Sequence, residues 1–211
     1  MDLCSRVGIP DGDKSWSFLL AAYSEPVRTY HNLSHIGDCL RLLDKHRKLA
    51  VDADAIEMAL WFHDLIYDPQ ANDNEEASAR CARDFLGGSP LRDEVVRLIL
   101  ATQHPDPSHP TADESLIRDI DLSILGSDTG TYGRYASAIR QEYHHVPDDA
   151  YAAGRAAILS KFLELPRLFM NPAFSEPLDL PARRNMAEEI LKLTGNTVRD
   201  TARTDRPRDF H

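Results

Sequence analysis

Apolar residues three and four positions apart, set between caps and stops, constrain this chain more than anything else in it. Leu33, Ile36, Leu40 and Leu43 form one such stripe, with Asn32 or Ser34 as its cap. An earlier helix spans residues 14–23 and stops before Pro26. Asp52 or Asp54 caps a helix through Ile56, Ala59, Leu60 and His63. Asn72 or Asp73 caps residues 75–86, with Glu75 and Glu76 in the first turn, where the helix dipole favours acids, and Gly87-Gly88 ends it. Ser89-Pro90 opens a helix through Val95, Leu98, Ile99 and Thr102. The proline-rich stretch from His104 to Pro110 is a loop, with His109 on its surface. Thr111 and Glu114 form a capping box ahead of Leu116, Ile117, Ile120 and Ile124, and Gly126 ends that helix. Tyr132, Tyr135, Ile139 and Tyr143 stripe the next helix, which stops before Pro147. Asp148 caps one through Ile158 and Phe162, and Asp179 and Pro181 open the last, which ends at Gly195. Period-two alternation is weak throughout. The expected fold is all-α, one compact domain of about eight to ten helices over residues 1–195, followed by a loose polar tail over 196–211.

With 211 residues, 42% of them hydrophobic, the chain can build one substantial core. The formal net charge of −10 argues against a nucleic-acid duplex as partner, because a phosphate backbone calls for basic patches. A few local arginines still suffice for a small phosphorylated substrate. Cys4, Cys39 and Cys81 are odd in number and lack zinc spacing, so they read as reduced thiols of a cytoplasmic protein. The opening residues lack the pattern of a signal peptide, and no apolar run reaches membrane-spanning length.

Three pieces carry chemistry. His31 and His35 stand four apart in Tyr30-His31-Asn32-Leu33-Ser34-His35. His63-Asp64 closes the apolar run Trp61-Phe62, where an unpaired carboxylate costs several kcal/mol and a bound cation removes that cost. Asp121 follows Ile120 in the same predicament, while Asp119, about 200° away on a helix, turns elsewhere as a solvated or supporting carboxylate. Histidine and aspartate are the ligand types of divalent metals. The three pieces are expected to converge on a metal that activates water. His31 and His35 both qualify as ligands, but the site also needs a proton donor, so one ligand and one acid is the economical division.

Tyr-His-Asn-x-x-His, then His-Asp, then Asp-Leu-Ser resembles the HD superfamily of metal-dependent phosphohydrolases. The first element is also similar to the signature of cyclic-nucleotide phosphodiesterases. Trp61 to Asp68, Asn74 to Ala79, Ala101 to His104 and Asp121 to Gly126 resemble a bacterial family of predicted metal-dependent HD phosphohydrolases, and Tyr132, Tyr135, Arg140, Glu142 and Tyr143 fit its pattern. The resemblance implies that His31 is the general acid and that His35, His63, Asp64 and Asp121 hold the metal. It implies that Glu75 or Glu76 orients or deprotonates the water. His104, and Asp119 as second metal ligand or support, would extend the site to two ions. Tyr67 stands where the phosphodiesterases carry a further histidine, which argues away from cyclic nucleotides.

Arg28 and Arg140 are candidate substrate contacts, with Arg155 and Lys161 behind them. The expected cofactor is a divalent ion, Mn, Fe, Co, Ni, Zn or Mg. The expected reaction is hydrolysis of a phosphomonoester or phosphodiester, in a nucleotide or another small phosphorylated metabolite. The alternatives are a di-iron oxygenase of the HD type and a non-catalytic, metal-bound module that binds a nucleotide.

Overall fold

The computed structural model describes residues 3–9, 12–103 and 110–195, so His104, His109 and the tail over 196–211 lie outside the described residues. The described chain is helical throughout, with no strand. Its helices are α1 (Leu3–Arg6), α2 (Gly12–Tyr23), α3 (Leu33–His46), α4 (Ala53–Phe62), α5 (Asn74–Leu86), α6 (Arg92–Ala101), α7 (Ala112–Asp121), α8 (Thr129–Glu142), α9 (Asp148–Glu164) and α10 (Pro172–Leu193). Short 3₁₀ turns at Arg47–Leu49 and Leu122–Gly126 follow α3 and α7. No described helix is long and apolar enough to cross a membrane. Cys39 and Cys81 are free thiols, and Cys4 and Cys39 are buried.

α4 is the centre. Ala55, Ile56, Met58, Ala59, Leu60 and Phe62 are all buried, as expected of a helix that is apolar nearly all round. α3, α5, α6 and α7 pack around it, and α9 with α10 forms a second layer against the 3₁₀ turn Leu122–Gly126. Three of the expected caps form, whereas Asp73 makes no side-chain capping bond and Asp148 is the first residue of α9 behind Pro147. Asn32 accepts from the Ser34 amide, Asp52 from those of Asp54 and Ala55, and Thr111 with Glu114 closes a reciprocal capping box.

The start of the last helix differs from the sequence reading. It begins at Pro172 behind Asn171, and both Pro177 and Pro181 lie inside it. Pro177 is exposed, so water can satisfy the carbonyl it leaves unpaired. Asp179 is no cap: its carboxylate accepts from the Leu168 amide at 3.2 Å and from Arg183 Nε at 2.7 Å. Arg183 in turn donates to the carbonyls of Leu163 and Leu165, closing the end of α9. The Ser89-Pro90 signal also lies early, because α6 begins at Arg92.

α10 crosses the 3₁₀ turn at Gly126. A Cβ there would lie 2.6 Å from Leu178 Cβ and 2.8 Å from its carbonyl oxygen. Gly126→Ala is therefore expected to destabilise the fold by about 1–3 kcal/mol in chemical denaturation. An unchanged midpoint would contradict this close crossing.

Candidate metal centre

Three helix ends meet at one point. His35 is the third residue of α3, His63 and Asp64 follow the last residue of α4, and Asp121 closes α7. α4 and α7 bring their C-terminal ends, and α3 its N-terminal end, to the place where these side chains converge.

The four side chains each offer one ligand atom, and these atoms all lie within 4.8 Å of one another. His35 Nε2 is 3.3 Å from His63 Nε2 and from Asp121 Oδ1, and 3.5 Å from Asp64 Oδ2. His63 Nε2 is 3.0 Å from Asp64 Oδ2 and 3.5 Å from Asp121 Oδ1. Ligands about 2.0–2.1 Å from one tetrahedral ion stand about 3.3 Å apart, so the separations fit a single divalent metal. His63 Nδ1 lies 2.9 Å from the Leu60 carbonyl. That bond places the proton on Nδ1 and leaves the Nε2 lone pair for the metal.

The electrostatics point the same way. Burial favours neutral imidazoles, but Cys39, Tyr30 and the Asp121 and Asp64 carboxylates outweigh it at His35, and the two aspartates outweigh it at His63. Both histidines are held well above their ordinary value. Burial likewise opposes ionisation of Asp64 and Asp121, yet the adjacent histidines hold both below the ordinary carboxylate range.

The loop that carries Asp64 is clamped by Arg28. Its Nη1 donates to the Asp64 carbonyl at 2.6 Å, its Nη2 to the Leu65 carbonyl at 2.7 Å, and its Nε to Glu25 at 2.9 Å. With Arg28 only 5% exposed, this guanidinium closes the end of α4 and does not present itself as a phosphate contact. Arg140 is spent similarly, on the carbonyls of Tyr143 and Val146 and on Asp148, where it closes the α8–α9 turn. Asp119 is neither solvated nor beside the metal ligands. It is buried and accepts from the Met170 amide at 2.8 Å, the Asn171 amide at 2.7 Å and Asn171 Nδ2 at 2.7 Å, which anchors the start of α10. Burial pushes its carboxyl above the ordinary value.

His31 lies just ahead of α3, two residues before its first turn, and its ring centroid is 6.1 Å from that of His35. Glu142 holds it. One oxygen accepts from the Tyr30 and His31 amides at 2.7 and 2.9 Å, and the other lies 2.6 Å from His31 Nδ1 and 2.9 Å from the Tyr67 hydroxyl. Burial opposes the charge of Glu142, but His31 and these amides hold its carboxyl below the ordinary range. An ionised carboxylate only accepts, so Nδ1 bears the proton and Nε2 is the free nitrogen. Tyr67 packs on the ring at 4.2 Å between centroids. Sequence reasoning gave Glu142 no role. The available signal was its place three residues after Ile139 and seven after Tyr135, on the buried stripe of α8.

Glu75 and Glu76 diverge. Burial, with the charges of Asp64, Glu76 and Asp121 behind it, pushes the Glu75 carboxyl up. Glu76 accepts from Gln103 Nε2 at 2.6 Å, and its other oxygen is buried without a partner. A surface hollow of about 610 Å³, lined by Thr29, Gly133, Arg134 and Gln141 among others, includes no cluster residue. In comparisons with known proteins, no family model matches the chain, and neither a curated protein nor a solved structure matches it.

Two outcomes follow from the geometry. Asp121→Asn should lose metal by elemental analysis, whereas Asp119→Asn should keep it and lower the melting temperature. The second expectation concerns pH. A histidine raised in the fold adds stability that is complete below its unfolded value near 6.5 and is lost as pH rises through the folded value. The metal-free protein therefore loses this contribution on the alkaline side, where metal no longer competes with protons. The melting-temperature gain from metal should grow between about pH 6 and pH 8, and a gain that shrinks would contradict the site.

Proposed function

We propose that this protein is a metal-dependent phosphohydrolase acting on a small phosphorylated substrate. The observation that carries the reading is the pairing of His31, oriented by Glu142, with a four-ligand His-Asp cluster one helix turn away. The residue pattern resembling HD phosphohydrolases supports the same assignment.

His35, His63, Asp64 and Asp121 would hold the ion. A divalent ion so held supplies Lewis acidity and lowers the pKa of water. The remaining work belongs to the chain. Glu75, half-buried and raised by that burial and then by the charges of Asp64, Glu76 and Asp121, is suited to take a proton from the attacking water. His31 Nε2 is suited to protonate the leaving oxygen, because Glu142 fixes the opposite nitrogen as the donor of its own hydrogen bond. The Glu142 charge then stabilises the imidazolium from which the proton leaves. Tyr67 limits rotation of the ring. The oxygenase reading has less support, since among the described residues two imidazoles and two carboxylates make one ion's ligand set.

The test is a screen of phosphomonoesters and phosphodiesters on protein reconstituted with each metal. Turnover with at least one ion is expected, and tight nucleotide binding without turnover would favour the binding module instead. His31→Ala should retain metal and lose rate by about 10²–10⁴-fold. The loss should be smaller for a nitrophenyl ester, whose leaving group hardly needs a proton. An equal loss for all leaving groups would remove His31 as the acid.

A further inference from the structure

α8 and α9 face each other across a row of tyrosines. Tyr151 and Arg155 stand four residues apart in α9, on one face of the helix. The Arg155 side chain is 10% exposed. Its Nε donates to Glu189 Oε1 at 2.9 Å, and its Nη2 reaches Glu189 Oε2 at 3.4 Å and the Tyr135 hydroxyl at 3.2 Å. Nη1 makes no hydrogen bond among the described residues. The guanidinium is thus oriented by two nitrogens and leaves the third for something else.

A second observation lies one helix turn away. Tyr151 is 8% exposed, and its hydroxyl is buried with no partner. Buried polar groups are nearly always satisfied, by protein, water or ligand. Tyr151 and Arg155 share one face of α9, so the orphan hydroxyl and the free guanidinium nitrogen belong to the same corner of the fold.

This corner connects to the metal centre by a track of rings. Tyr135 is 4.7 Å from Tyr30 between centroids, and Tyr30 is 4.8 Å from His35.

We propose that Arg155 Nη1 and the Tyr151 hydroxyl form an oxyanion subsite, which binds a second anionic group of the substrate, phosphate or carboxylate, two rings from the metal centre. Only the words "of the substrate" rest on the hydrolase reading. The subsite itself stands on the free nitrogen and the orphan hydroxyl. Charged hydrogen bonds from a fixed guanidinium suit such a group, and Tyr151 adds a neutral donor already stripped of water.

The test uses the full chain, chelated and dialysed, so that no metal contributes. Inorganic phosphate and, separately, acetate are titrated while thermal unfolding is followed, with phosphorus NMR as a second readout of phosphate. A saturable rise in melting temperature is expected, with phosphate alone assigning a phosphate group and both ions assigning any oxyanion. Tyr151→Phe removes a hydroxyl that bonds nothing, so its melting temperature without anion should match or exceed that of wild type. Its phosphate affinity should fall roughly tenfold. Arg155→Lys should weaken phosphate at least as much while preserving the charge opposite Glu189. No saturable response in the wild type, or an undiminished response in Tyr151→Phe, would overturn the subsite. Failure of the hydrolase reading would appear elsewhere, as absent turnover in the metal-loaded protein.

Discussion

Two carboxylates and two imidazoles share a site at the junction of three helices, and the surrounding structure is arranged to make that affordable. Two aspartates this close repel each other, and burial sharpens the repulsion. Only positive charge placed among them relieves the strain, either as protons on His35 and His63 or as a metal ion. The four side chains could therefore hold a metal ion.

What surrounds the cluster holds it still. Arg28 ties the carbonyls of Asp64 and Leu65 to the segment that precedes His31, and Tyr23 donates to the Trp61 carbonyl at 3.0 Å. Ser78 on α5 takes the Ile66 amide at 3.0 Å. Glu142 reaches across from α8 to fix both the backbone and the ring of His31. Each of these bonds satisfies a polar group at a helix end or in a buried turn, and together they fix the backbone that carries His31 and Asp64.

The sequence was informative where the signal was local. The stripe Leu33, Ile36, Leu40 and Leu43, the capping box at Thr111 and the break at Gly87 all act within a few residues, and all appear in the fold. His63-Asp64 was legible because a carboxylate inside an apolar run needs a counter-charge wherever the chain goes. Asp121 was separable from Asp119 by helical phase, although what Asp119 does instead was not, because its partners lie some fifty residues on, at Met170 and Asn171. The same limit explains Arg28 and Arg140, which looked free for phosphate and are consumed by carbonyls. Pro181 read as a helix boundary, since the local rule could not see the packing at Leu178 or the bonds of Asp179 that carry α10 through it.

The central claim is that His35, His63, Asp64 and Asp121 hold one ion together. Anomalous diffraction from crystals of the manganese-loaded protein tests it most directly. The account predicts one strong difference peak at about 2.0–2.2 Å from Nε2 of both histidines and from one oxygen of each aspartate. A peak elsewhere, or none while the four side chains remain in contact, would contradict it.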